Sequence, residues 1–395
     1  MVPATTRTSS ETRSSVRVVA AVCAALLAAA LVGCSGGGRE TATTPVGPEP
    51  APQVSGSVWV ADETGNSLTV LDTATNTVAT TLTGIQAPHN VQVGTDPGTV
   101  YATSADSSLV AAIDAESYKV IATARTGPHP AHVIDAPNGK VYVANSEDGT
   151  VSVFRRQNLE PMGRIEVGGM PHGLRAAADG SVIVVANHSA GALDVIDAGS
   201  DSVRFSVPVG DGPAQVAVSA DGRFAYTGTT EPAAVVKVDL TARKIVGSAP
   251  VSAPPVQVFL TPDDATVVSA DQGTPQAAGQ NASVIDTATM TVEATVPTGA
   301  GPHGVVIDPT GRLAWVTDSY ADTVSVIDLR SRTVTATVGV GAGPNGISYS
   351  PRPPSAGAPT VALDVPIPAE PAPAAGENEQ VPGHHSEVPH QSGHG

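Results

Sequence analysis

Seven times, the chain begins the same short apolar run. Near Ser57, Thr99, Lys140, Ser181, Arg223, Ala265 and Arg312 it reads SVWVAD, TVYATS, KVYVAN, SVIVVAN, RFAYTG, ATVVSAD and RLAWVTD. The unit at 140–180 shows what lies between two such starts. It holds four runs, 141–144, 151–154, 164–167 and 174–177, separated by Asn, Asp, Gly and Pro. Each run is too short for a helix and rich in β-branched residues, so each reads as a strand. Four strands with tight connections form an antiparallel meander, which cannot bury both faces alone and needs neighbours of its own kind. Seven units of about 40–47 residues predict an all-β fold, a seven-bladed β-propeller of four-stranded antiparallel blades.

Two features recur within the units. A later strand ends in Asp at Asp72, Asp114, Asp197, Asp239, Asp286 and Asp328, with Arg155 in the one departing unit. Such an Asp starts a turn by accepting from backbone N–H groups two residues on. A proline turn then precedes the last strand, at Pro88, Pro171, Pro213, Pro255, Pro302 and Pro344, with Pro128 or Pro130 in the second unit. No strand precedes Ser57 to complete the first unit, whereas 346–350 (GISYS) matches the strand after each proline turn. The closing blade is therefore expected to combine 346–350 with strands near Ser57, Leu68 and Val78.

The segments VYVANSEDGTVSV, LAWVTDSYADTVSVIDLRSRTVTATVGVGAGPNG and VIDTATMTVEATVPTGAGPHGVVIDPTG resemble the YVTN-type repeats of seven-bladed, YncE-like propeller proteins. The resemblance covers about 57–350. It implies that each proline turn leads into the innermost strand, beside the central channel. It is specific for fold and says little about activity, since such relatives include secreted binding proteins, surface-layer proteins and domains of copper enzymes.

The ends read differently. Arg7, Arg13 and Arg17 precede an apolar run at 18–32 that is short for a bilayer span and ends Leu31-Val32-Gly33-Cys34. This resembles a bacterial lipoprotein signal, cleaved before Cys34 and lipidated on its thiol. The chain then divides into a signal (1–33), a lipidated Cys and flexible linker (34–56), the propeller (57–350) and a Pro-rich, His-ended disordered tail (351–395). Within the tail, 360–367 (TVALDVPI) could dock as an edge strand. The expected location is the extracytoplasmic face of the bacterial membrane. Cys23 would leave with the signal, so no disulfide is expected. Loss of three Arg and one Glu takes the net charge from −17 to −19. That charge argues against a nucleic-acid partner. A monomer that binds a protein or small ligand is expected.

Candidate chemistry gathers at the proline turns. His89, His172 and His303 occupy equivalent turns, and His129 and His132 flank the turn of the second unit. Alternating strand direction puts these turns on one face with the loops after the opening strands. His188 lies in one of those loops, and Asp62, Asp271 and Asp318 end opening strands near the same face. The longest of the loops is 271–283. Imidazoles and carboxylates converging at a channel mouth could hold Zn or Cu. The tail adds His384, His385, His390 and His394, a His-rich tract of metal-capturing type. The acidic pairs at 62–63 and 147–148 read as solvated turn residues. No HExxH, CxxC, G-x-S-x-G or Walker loop occurs. The expectation is a binding or scaffold propeller holding a transition metal, more than an enzyme. The alternative is a metal-assisted hydrolase or lactonase with scattered loop residues.

Overall fold

A computed structural model describes residues 54–368. They form seven antiparallel sheets arranged as blades around a channel, with no helix among the described residues. Numbered from the seam, the innermost strands are Pro344–Ser350 (blade 1), Val91–Val93 (blade 2), Pro130–Asp135 (blade 3), Pro171–Ala176 (blade 4), Val216–Val218 (blade 5), Gln257–Leu260 (blade 6) and Pro302–Ile307 (blade 7). The opening run of each unit is the second strand of its blade and is almost wholly buried, as in Ser57–Asp62, Leu313–Asp318 and Lys140–Asn145. The outermost strands alternate exposed and covered residues, as in Thr333–Gly339.

The blades are stabilised through their faces. Seven apolar clusters each lie between two neighbouring blades. One joins Trp59, Leu68 and Leu82 of blade 1 to Val91, Val100 and Leu109 of blade 2. Another joins Val306, Trp315 and Val324 of blade 7 to Val58, Val60 and Ile347 of blade 1. With aromatics at 3% of the chain, the interfaces are filled mainly by Val, Ala, Ile and Leu, which suits flat sheets stacked face to face.

The recurrent Asp turn forms as expected. The Asp72 carboxylate accepts from the Ala74 N–H, Asp197 from Gly199 and Ser200, and Asp328 from Arg330 and Ser331. Four residues on, every blade carries a non-glycine residue in the left-handed region: Asn76, Tyr118, Leu159, Asp201, Arg243, Met290 and Arg332. Blade 3 keeps this turn without the Asp, because the Leu159 N–H still bonds the Arg155 carbonyl. The main-chain bond therefore shapes the turn and the carboxylate only reinforces it.

Closure joins the two ends of the domain. Pro344–Ser350 pairs antiparallel with Ser57–Asp62, matching Val58 with Tyr349 and Asp62 with Pro344. Two readings need correction. The 271–283 segment is no loose loop, since Thr266–Thr274 and Ala277–Asp286 run on as a longer hairpin that pairs Thr274 with Ala277. The chain after 350 also stays on the ring as far as 368. Thr360–Ala362 adds a fifth, parallel strand outside Thr77–Thr83, and Leu363 is buried against blades 1 and 2. Thr123 and Arg125 of blade 2 then donate to the carbonyls of Pro366 and Pro368. The 360–367 segment thus docks through an edge strand as expected, and this pairing satisfies the Thr81 N–H through the Pro359 carbonyl.

Three truncations test this account. A chain ending at 368 should melt like the full protein. Ending at 354 should cost about 2–4 kcal/mol, the burial of Leu363 plus its edge hydrogen bonds. Ending at 345 should abolish the cooperative transition by removing the innermost strand of blade 1. Matching melting curves for the 354 and 345 chains would overturn the closure.

Candidate metal centre

Register fixes which residues meet at the channel mouth. Pro130, Pro171, Pro302 and Pro344 pair with Asn145, Asn187, Asp318 and Asp62, the last residues of the opening strands. Pro130, not Pro128, is thus the equivalent proline in the second unit. The residue after each proline, at or just before the start of the innermost strand, is His89, His172 and His303 in three blades and Ala131, Ala214, Val256 and Asn345 in the others. His132 stands one residue further on, where blades 4, 7 and 1 have Gly173, Gly304 and Gly346. A Cβ at Gly173 would come within 2.2 Å of Gln215 Oε1, which shows how closely the inner strands approach at this level.

Three of the imidazoles form one cluster. A ring nitrogen from each of His89, His132 and His172 lies within 4.8 Å of the other two. The His89 and His172 Nε2 atoms are 3.1 Å apart. His303 stands edge-on to His89 with ring centroids 6.4 Å apart, and its Nδ1 is buried without a partner. His129, just before Pro130, is 6.2 Å from His89 by centroids. His188 sits on the loop after Val182–Asn187, partly buried, with its N–H bonded to the Met170 carbonyl.

Partners on the far side of each ring fix the protons. His89 Nδ1 lies 3.0 Å from Glu63 Oε1, and a carboxylate only accepts, so that nitrogen carries hydrogen. His172 Nδ1 lies 2.9 Å from the Ala214 carbonyl oxygen, which also only accepts. Both Nε2 atoms therefore present lone pairs to each other at 3.1 Å unless a cation lies between them. His132 is set differently. Its Nδ1 is 3.1 Å from Gln215 Nε2, while Gln215 Oε1 accepts from the Val216 N–H. Its buried Nε2 has no partner among the described residues.

Electrostatics oppose a proton on most of these rings. Burial, then the neighbouring imidazoles, holds His132 and His172 well below the ordinary value. Burial and His89 bring His303 down to about 3. Glu63 answers them. Burial acts to raise its carboxyl, but hydrogen bonds from His89 and Asn345 and the attraction of His89 take it to about 2. Glu63 is therefore no solvated turn residue. It is an anion behind the cluster, and only the tertiary structure places it there.

Asp62, Asp271 and Asp318 lie near this mouth but face into their own blades. Asp62 Oδ2 accepts from the Ser67 and Thr69 hydroxyls at 2.9 and 2.7 Å, and Asp318 Oδ2 from Thr323 and Ser325 at 2.9 and 2.8 Å. Asp271 accepts from Ser252, Ser269 and Ser283. Asn145 takes the same place in blade 3 and donates to Thr150 and Ser152. Cys34 and His384, His385, His390 and His394 fall outside the described residues.

A seven-bladed β-propeller with histidines gathered at one channel mouth is the class these features define. Residues 78–267 match the family model of the YNCE-like beta-propeller, and they form part of a seven-bladed ring. No curated protein matches the sequence. Solved structures that share the architecture include the following three. Hydrazine synthase of Kuenenia stuttgartiensis is 23% identical with a TM-score of 0.61, over 67% of this chain and 90% of that one. A functionally unknown protein of Desulfotomaculum acetoxidans DSM 771 is 13% identical, TM-score 0.66, over 76% and 100%. A Bacteroides uniformis ATCC 8492 protein, provisionally called a 6-phosphogluconolactonase, is 18% identical, TM-score 0.63, over 75% and 100%. At these identities the likeness concerns the fold alone.

The buried acids supply a pH test. Burial raises Asp62 and Asp318 to about 6, against hydroxyl bonds that lower them, and one oxygen of each has no partner. The unfolded value lies near 3.8. Between these values the folded protein holds the extra protons, so stability falls as pH rises, and the full cost is present above the folded value. An amide works at the same place in blade 3. The double variant Asp62→Asn, Asp318→Asn should therefore gain roughly 1–3 kcal/mol per site at pH 7.5 and nothing at pH 4. Denaturant melts at the two pH values check this. An equal difference at both, or a loss at pH 7.5, would refute it.

Proposed function

We propose that this protein binds a transition metal ion, Zn or Cu, at the His89–His172–His132 mouth of its channel. The observation that carries the reading is the pair of facing Nε2 lone pairs. Two metal–nitrogen bonds of about 2.0–2.1 Å spanning that gap subtend roughly 100°, which lies between square-planar and tetrahedral angles. A shared proton would also relieve the repulsion, but it would make one of two closely packed rings an imidazolium. Glu63 behind His89 is a partner of the kind that orients metal-bound imidazoles and raises their basicity. His132 would join as a third ligand once its proton moves to Nδ1 and the Gln215 amide turns its oxygen toward the ring. His303 stands beside these three with an unpaired Nδ1.

Tail histidines would form a separate, looser site on a tether and raise the local metal concentration. A chain ending at 368 separates the two. Calorimetric titration with Zn or Cu should show it binding one ion with a dissociation constant well below millimolar. His89→Ala with His172→Ala should remove that phase while the melting transition persists. Absence of binding tighter than millimolar in the 368 chain would leave the shared proton as the account of the pair and sink the metal reading.

Lipidation of Cys34 would hold this site at the outer face of the membrane. The support is the Leu31-Val32-Gly33-Cys34 end of the apolar run. Full-length protein should partition into detergent and Cys34→Ala should not. Equal partitioning would rule out the anchor.

A further inference from the structure

Three residues beyond the histidine level, about 10 Å along the strands, the channel changes character. Here the inner strands present Gln92, Ile134, Arg175, Phe259, Val306 and Ser348, matched by register to Tyr101, Tyr142, Val184, Val268, Trp315 and Trp59. All six line a cavity of about 300 Å³ that opens at this end of the channel. Arg175 is the one charged side chain among them.

Its charge has no counterpart. Arg175 Nη1 donates to Gln92 Oε1 at 3.1 Å, and among the described residues it forms no ion pair. Two acids stand nearby, Asp135 in the wall of this chamber and Asp264 in an adjoining one that Arg175 also borders, and both accept hydrogen bonds from other partners. Asp135 pairs with Arg156 through Oδ1, while its Oδ2 accepts from the Thr95 N–H and hydroxyl at 2.8 and 2.9 Å. Asp264 accepts from the Ala220 N–H. The guanidinium lies over the Phe259 ring, 5.6 Å from its centroid, which sets the plane of its fork. Burial lowers it only to about 10, so it stays charged at neutral pH. A guanidinium that uses few of its five donors, in a chamber walled by Ile134, Phe259 and Val306 as well as by polar Gln92, Ser348 and Thr95, favours an anion that supplies the missing acceptors.

We infer that this chamber binds a short aliphatic carboxylate, held end-on by Arg175 with its chain against Ile134, Phe259 and Val306. A planar carboxylate matches the guanidinium fork with two parallel hydrogen bonds. The apolar walls favour a carbon chain over a fully hydrated inorganic ion. The volume stands at the small end for ligand pockets and suits a short chain. The site is separate from the metal centre and does not depend on it.

The test uses the full chain, stripped of metal, in calorimetric titrations at pH 7.5 and constant ionic strength with butyrate, acetate and inorganic phosphate. Butyrate should bind with a dissociation constant on the order of 1 mM or tighter, within the per-atom ceiling for a small ligand. Acetate should bind more weakly than butyrate, and phosphate more weakly still. Arg175→Met keeps the packing and should weaken butyrate at least tenfold. Arg175→Lys keeps the charge without the fork and should fall between, and it decides the matter if the Met variant does not fold. Undetectable butyrate binding, phosphate stronger than butyrate, or unchanged affinity in the variants would overturn the inference.

Discussion

The ladder between Pro344–Ser350 and Ser57–Asp62 is the constraint on which the rest depends. Each blade presents a slab of small apolar side chains to the next, and a slab is stable only with a neighbour on both sides. An open ring would leave two such faces in water. The strand Pro344–Ser350 removes both by completing the first blade. Tyr349 stacks on Trp315 of blade 7 from that strand, with ring centroids 5.8 Å apart, so closure also carries the interface beyond it.

The same seam builds the histidine site. Glu63 follows Ser57–Asp62 and Asn345 lies on Pro344–Ser350, the two strands that close the ring. Asn345 Nδ2 donates to Glu63, and Glu63 holds His89. The anion behind the cluster is therefore in place only when both ends of the domain meet. Hydroxyls tie the inner strands together nearby. Thr317 Oγ1 accepts from the Gly304 N–H and donates to the Asn345 carbonyl, and Thr103 donates to the carbonyl of Ala131. The bonds to the Asn345 and Ala131 carbonyls run between blades, so the spacing of rings in different blades follows from the rigidity of the whole ring.

Near-sevenfold symmetry explains why the site is local. A repeat gives each blade the same backbone at the channel, so chemistry arises only where single residues break the pattern. At one level three equivalent positions carry His, and His132 enters from the next position along. At the other level a single arginine stands as the one charged side chain among Gln92, Ile134, Phe259, Val306 and Ser348. The two levels differ in charge and polarity although the same seven strands make them.

The blade pattern, the Asp turns, the proline turns and the interleaved closure were all legible in the amino-acid order, because each follows from local turn chemistry and period-two burial. The histidines could be placed on one face for the same reason, since strand direction alternates. The sequence could not say which of them touch. Pro128 and Pro130 both fitted the second unit; only the pairing with Asn145 settled the register there, and only the side-chain positions showed that His132 reaches the cluster. Glu63 looked like a turn residue because its partners are 26 and 282 positions away. Asp62 and Asp318 looked like ligands, but a carboxylate at a strand end binds whatever hydroxyls the neighbouring strand offers, and both found Ser and Thr in their own blades. The order of residues decided how each strand turns. The closed ring decided which side chains, far apart in sequence, share a channel.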